Sequence, residues 1–216
     1  MTRTHRRISR LRYLQFEAVF ALGLAALGCA DGPEGLPTPE VDAAAVAESA
    51  MEEFDANGDA ALDSEELAKC PPLGKAVASF DADKDGRLTE GEIANGIVAL
   101  AGPESAYLST NCTVTFEGRP LANATVKLRP PDFIGDSLPT AVAETDASGH
   151  ASPSIPSDRL PPQLLGTPLV YPGLYHVEIT HPERQLPGRY NTSTELAFVI
   201  DPSSREGNSA RFDLKP

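Results

Sequence analysis

Residues 81–92 read DADKDGRLTEGE, placing Asp81, Asp83 and Asp85 at alternate positions, Gly86 at the sixth and Glu92 at the twelfth. Alternate residues of a tightly wound loop turn their side chains inward, so this spacing gathers oxygens about one point. A hard cation such as Ca²⁺ takes about six to eight oxygens at roughly 2.3–2.6 Å. Glycine at the sixth place allows the sharp turn, and a glutamate opening the exit helix closes the shell with both oxygens. The ligands expected here are Asp81, Asp83, Asp85, the Arg87 carbonyl, Thr89 through water, and Glu92. Residues 55–66, DANGDAALDSEE, repeat the pattern and begin 26 residues earlier. Their expected ligands are Asp55, Asn57, Asp59, the Ala61 carbonyl, Asp63 through water, and Glu66. One such stretch also reads as an acidic turn capping a helix, because Thr89-x-x-Glu92 fits a capping box and Asp63-x-x-Glu66 approximates one. Two copies, each with leucine at the eighth place (Leu62, Leu88) and a following helix, favour metal.

These loops resemble EF-hands, and the resemblance implies a compact helical pair over residues 40–102. The flanking periodicity supplies the elements that must hold them. Thr38 is read as the cap of a helix beginning at Pro39, with Ala44, Ala47, Met51 and Phe54 on one face. Pro71-Pro72 separates a short exit stub from an entering helix with Leu73, Val77 and Phe80 inward. The last helix shows Ile93, Ile97 and Leu100 on one face and stops at Gly102-Pro103. The loops differ most at the sixth place, Ala60 against Gly86. A Cβ in a left-handed conformation costs on the order of 1 kcal/mol, so two calcium sites are expected with the second the tighter.

Residues 103–216 have period two. Cys112, Val114 and Phe116 alternate, then Gly118-Arg119-Pro120 turns, then Ala122, Ala124, Val126 and Leu128 alternate, a hairpin pattern. Tyr175, Val177 and Ile179, Leu196, Phe198 and Ile200, and Ala210, Phe212 and Leu214 follow the same rule. Asp146 to Gly149 is a turn. Six prolines between Ser152 and Gly173 suggest a stiff surface loop rather than core. The expected fold class is α+β and multidomain, a helical pair before a small antiparallel β-sandwich. The words VTFEGRPLANATVKLRPP, TDASGH and YPGLYHVEIT resemble the transthyretin-like, or carboxypeptidase-regulatory-like, domain over roughly residues 110–214. Gly118, Pro120 and Ala124, Asp146 and Gly149, and Gly173 and Tyr175 carry the match. That family is common in exported proteins of planctomycete-type bacteria, and it implies a structural or binding module without catalytic residues.

The formal net charge is −13, with 17 acids against 4 bases in residues 30–102 alone. Such a surface repels nucleic acid and anionic headgroups and attracts cations. Residues 1–29 are the exception, with five arginines against Glu17 and then the apolar run Ala18–Leu27, which reads as a signal peptide. Its end, LAALGCA, resembles a bacterial lipoprotein signal, in which Cys29 would be lipidated to form a membrane anchor. Ordinary cleavage near Ala30 is the alternative. Residues 30–39, rich in Gly, Pro and acids, read as a disordered tether. Cys70 and Cys112 remain, either as a disulfide, as an oxidising compartment allows, or with Cys112 as a small apolar core residue on its strand and Cys70 as a helix-end thiol.

The histidines His150, His176 and His181 fall in no HExxH, and the chain shows no GxSxG, phosphate loop or CxxC. His176 is out of phase with Tyr175 and Val177, so it is expected to be exposed. Asp146 and His150 flank a turn and are read as shaping it. The expectation is a calcium-binding, lipid-anchored protein of the cell envelope, not an enzyme, with a protein or glycan partner of unknown identity. A soluble calcium-regulated adaptor, and an enzyme or accessory acting on envelope polymers, are the alternatives.

Overall fold

A computed structural model describes residues 39–101, 107–204 and 208–216. The signal peptide with Cys29, most of the tether, Thr38 and the Gly102-Pro103 stop lie outside the described residues. Helix α1 spans Ala43–Phe54, starting later than the Thr38-Pro39 pair implies. Asp42 is its cap, and the carboxylate accepts the amides of Ala44 and Ala45 at 3.2 Å, which also sets an anion at the positive end of the helix. Val46, Ala47 and Ala50 are buried, with Met51 and Phe54 packed partly against the core. Ala44 is exposed, so the inner stripe runs through Val46 instead.

The order continues with β1 (Ala61–Leu62), α2 (Ser64–Leu67), α3 (Pro71–Phe80), β2 (Leu88–Thr89) and α4 (Glu90–Ala101). Pro71 and Pro72 open α3, where a missing N–H leaves no hydrogen bond unmade. The chain segments on either side meet as β1 pairs antiparallel with β2, setting Leu62 opposite Leu88. Both leucines are fully buried. Leu73, Ala76 and Phe80 of α3 face Ile93, Gly96, Ile97 and Leu100 of α4 across the same core. A Cβ on Gly96 would lie 2.4 Å from the Phe80 ring, so the bare backbone at that position is what admits the ring.

The strands are β3 (Asn111–Phe116), β4 (Arg119–Pro120), β5 (Thr125–Arg129), β6 (Ala141–Glu144), β7 (His150–Ala151), β8 (Gly173–Thr180), β9 (Ala197–Ile200) and β10 (Ser209–Leu214). They form two four-stranded sheets, β10-β3-β4 with β7 also on β3, and β6-β5-β8-β9. The second is antiparallel throughout. The first is mixed, because the last strand returns alongside β3 in the same direction, a departure from the all-antiparallel expectation. The chain is therefore α+β.

The expected hairpin is only half formed. Glu117 and Gly118 turn with φ of 51° and 75°, and β4 then pairs with β3 for just two residues. Next the chain crosses to the other sheet, where Val126 and Leu128 are buried in β5. Thr145 secures the crossing, donating its hydroxyl to the Leu121 carbonyl at 2.6 Å and accepting the Ala124 amide at 2.8 Å. The proline-rich stretch also differs from a surface loop. Ile155, Leu160, Leu169, Val170 and Tyr171 are buried, and bridges tie Ser154 to Val142 and Val170 to Leu108. The segment is mixed: residues 156–159 and 165–168 are exposed while its apolar side chains tuck into the core, and the amides of Ser154 and Val170 are met at the two bridges.

Helices and sheets share one core. Helix α3 packs on β8 and β9, while Phe54 of α1 meets Phe133 edge to face, with ring centroids 6.0 Å apart and planes at 86°. The expected boundary near residue 102 thus falls inside one compact unit, Leu36–Pro216. Cys70 and Cys112 are free, buried thiols rather than a bridge. Cys70 precedes α3, and Cys112 sits in β3 between Ala210 of β10 and Ala151 of β7. Burial pushes each thiol up to about 12, which leaves both inert as nucleophiles. Among the described residues no helix is long and apolar enough to cross a membrane.

Gly96→Ala decides between two opposing effects. Helix propensity favours alanine by about 1 kcal/mol, whereas forcing a methyl into the Phe80 ring costs about 1–3 kcal/mol. The contact wins, and urea denaturation of Gly96→Ala should show a net loss of roughly 1 kcal/mol; a gain would mean the ring moves aside freely.

Candidate metal centre

Both acidic loops are built alike from their ends inward. Asp55 caps the C-terminus of α1, its amide donating to the Met51 carbonyl, and Asp81 ends α3 in the same way on Val77. At the other end Asp63 and Glu66 form a capping box on α2. Thr89 and Glu92 bond reciprocally on α4: the Thr89 amide reaches Glu92 Oε2 at 2.9 Å, and the Glu92 amide reaches Thr89 Oγ1 at 3.3 Å. Each twelve-residue loop is thus pinned between two helices by its first and last residues.

Between these pins the carboxylates are held by backbone N–H groups. Asp55 Oδ1 accepts from Gly58 at 2.8 Å and from Asp59 at 3.3 Å, and its Oδ2 accepts from Ala60 at 3.0 Å. Asn57 Oδ1 accepts the Asp59 amide and Asp59 Oδ1 the Ala61 amide. The second loop repeats this, with Asp81 accepting from Lys84 and Gly86, Asp83 from Asp85, and Asp85 from Arg87. The twelfth residue reaches back in both. Glu66 Oε1 accepts from Ala56 and Asn57, and Glu92 Oε1 from Ala82 at 2.9 Å. These donors, led by the Thr89 amide and outweighing desolvation, hold the Glu92 carboxyl below its usual value.

The structure brings Asp81, Asp83 and Asp85 together, each offering an oxygen within 4.8 Å of the others. Every converging side chain in this loop is an oxygen donor, which is the donor chemistry of a hard cation such as Ca²⁺ and not of a soft or borderline metal. Asp63 and Thr89, expected to act through water, are engaged at the helix starts: Asp63 accepts from Glu65 and Glu66, and the Thr89 hydroxyl donates to Glu92 Oε2 at 2.8 Å. Glu66 is buried, at 4 % exposure.

Two features escape the one-dimensional pattern. The fourth place of each loop is left-handed as well as the sixth: φ is 72° at Gly58 and 67° at Ala60, then 65° at Lys84 and 83° at Gly86. Each loop therefore carries one glycine and one strained residue, in opposite order, and Ala60 alone no longer ranks the loops. The composition of the fourth place, Gly58 against Lys84, was the available signal. The second feature is Arg87. Only its carbonyl was expected to matter, yet its guanidinium crosses to the first loop and bonds both Asp59 Oδ2 and the Ala61 carbonyl, the latter at 3.2 Å. Desolvation raises the Asp59 pKa, but the Arg87 bond, the Ala61 amide and the Arg87 charge outweigh it and hold the carboxyl below its usual value.

The histidines lie apart from the loops. His150 Nδ1 stands 3.9 Å from Asp146, whose Oδ1 accepts the Ser148 and His150 amides and so shapes the turn. His181 Nε2 lies 3.0 Å from the Ala122 carbonyl. His176 is half-buried rather than exposed, paired in register with Arg129, and its Nδ1 has no hydrogen-bond partner. Burial first, then the Arg129 charge, pull its pKa down. No family model, curated protein or solved structure matches the chain.

Ala60→Gly and Lys84→Gly should each stabilise the protein by about 0.5–1 kcal/mol, and by similar amounts in chemical denaturation; stabilisation by Ala60→Gly alone would restore the asymmetry between loops. His176 generates a pH effect whose sign follows from its lowered pKa. The unfolded chain takes up a proton near pH 6.5 that the folded state refuses, so stability falls as pH drops from about 6.5 toward the folded value. His176→Gln should flatten the denaturation midpoint over that window, and an unchanged slope would contradict the assignment.

Proposed function

We propose that this protein binds two calcium ions through an EF-hand pair, and that the ions stabilise a binding or structural module. The observation that carries the reading is the convergence of Asp81, Asp83 and Asp85 oxygens within 4.8 Å, in a loop closed by Glu92 and repeated at residues 55–66. In the second loop Asp81, Asp83, Asp85, the Arg87 carbonyl and Glu92 would hold the ion, with Thr89 behind water. In the first, Asp55, Asn57, Asp59, the Ala61 carbonyl and Glu66 would do so, with Asp63 behind water. When bound, an ion would supply charge neutralisation among carboxylates that otherwise repel one another. Extracellular calcium is plentiful, so dissociation constants of about 10⁻⁴–10⁻³ M suffice for a structural role.

The strand half is read as a transthyretin-like sandwich, supported by the positions of its turn words: Gly118 and Gly149 have positive φ at turns, and Gly173 opens β8. It is taken as a recognition or spacing unit without catalysis. Export with lipidation at Cys29 completes the proposal and rests on the charge and apolar pattern of residues 1–29. On that basis the protein sits on a membrane facing the periplasm or exterior, toward a protein or glycan partner and away from nucleic acid.

Millimolar calcium should raise the thermal midpoint, with about 2.7 kcal/mol of added stability at a hundredfold excess over the dissociation constant. Glu92→Gln should remove the larger part of that shift and Glu66→Gln the smaller. An unchanged transition with calcium present would end the reading. Independently, Cys29→Ser should move the protein from the membrane to the soluble fraction; retention on the membrane would remove the lipid anchor.

A further inference from the structure

Arg87 belongs to both loops at once. Its amide donates to Asp85 Oδ1 at 2.8 Å, so its backbone is part of the second loop, where the calcium reading assigns its carbonyl as a ligand. Its side chain leaves that loop and lays one guanidinium nitrogen on Asp59 Oδ2 and on the Ala61 carbonyl. Those are the fifth- and seventh-place ligands of the first loop. No residue of the first loop returns the contact, because the seventh place there is Ala61. The asymmetry is therefore built into the pair.

We infer that Arg87 is a resident cation competing with calcium for the first loop, and that it makes the first loop the second to fill. The inference rests on the calcium reading above. A guanidinium stays charged at any physiological pH, and the pair is part-exposed, at 36 % and 44 % of the two side chains. A divalent ion in the first loop needs the same carboxylate and carbonyl oxygens at about 2.3–2.6 Å, where like charge and shared lone pairs oppose the bonded guanidinium. Calcium must swing Arg87 aside, while the second loop loses nothing on filling. In the metal-free protein the same contact offsets the first loop's negative charge and braces the short β1–β2 ladder. Exposed pairs of this kind are worth up to about a fivefold change in an equilibrium constant, and that is the expected handicap of the first loop.

The test is calorimetric calcium titration of the purified full-length protein in two backgrounds. With the second loop disabled by Glu92→Gln, adding Arg87→Gln should tighten the remaining site about fivefold. With the first loop disabled by Glu66→Gln, adding Arg87→Gln should change the remaining site less than twofold. Glutamine keeps the backbone carbonyl, the side-chain length and a neutral donor, and circular dichroism of Arg87→Gln without calcium checks that the fold is kept. Unchanged or weaker binding in the Glu92→Gln background would overturn the inference, as would equal tightening of both loops, which is a general charge effect. Failure of the underlying reading looks different: the unsubstituted protein would bind no calcium, and the inference would fall with it.

Discussion

Carboxylates crowded into a short turn repel one another, and the way that repulsion is contained organises the helical half. Each loop places four carboxylates among its expected ligand positions, and each holds its first carboxylate with backbone amides from a turn that is left-handed at two places. The strained residues Ala60 and Lys84 are the consequence. Backbone strain and like charge meet in the same short turns, and under the proposed function a divalent cation would relieve the second.

The rest of the helical half keeps the two loops facing. Leu62 and Leu88 are buried at the centre of a two-residue ladder, too short to persist alone. It persists because α1 and α2 pack against β1 and α4 against β2, while Gly96 of α4 lets the Phe80 ring of α3 approach in the same core. Helix α3 in turn lies on β8 and β9, so the loops are mounted on a sheet. The β1–β2 ladder itself, with Ala61 opposite Thr89, brings Arg87 within reach of Asp59, a contact 28 residues apart in sequence.

Much of this was legible in the chain. Loop boundaries, the inward faces of α3 and α4, and the alternation in β3, β8, β9 and β10 all follow from local spacing, and the structure has them. What was not legible depended on three-dimensional return paths. The parallel β3–β10 pair joins residues near position 112 to residues near 210, and no local period signals direction. The crossing at Leu121–Ala124 looked like a hairpin because both of its strands alternate, and the deciding group was Thr145, over twenty residues away. His176 read as exposed because alternation reports the sheet face but not what covers it. In the loops, attention to the sixth place hid the fourth, and assigning Arg87 by its carbonyl hid its side chain. Sequence spacing thus located the oxygens while remaining silent on which cation already touches them.

The most direct test is diffraction from crystals grown with calcium, using the ion's anomalous signal to place it. The account predicts two peaks, one within about 2.3–2.6 Å of oxygens from Asp81, Asp83, Asp85 and Glu92, the other among Asp55, Asn57, Asp59 and Glu66 with the Arg87 guanidinium displaced. Full occupancy elsewhere on the surface with neither loop holding an ion would contradict it.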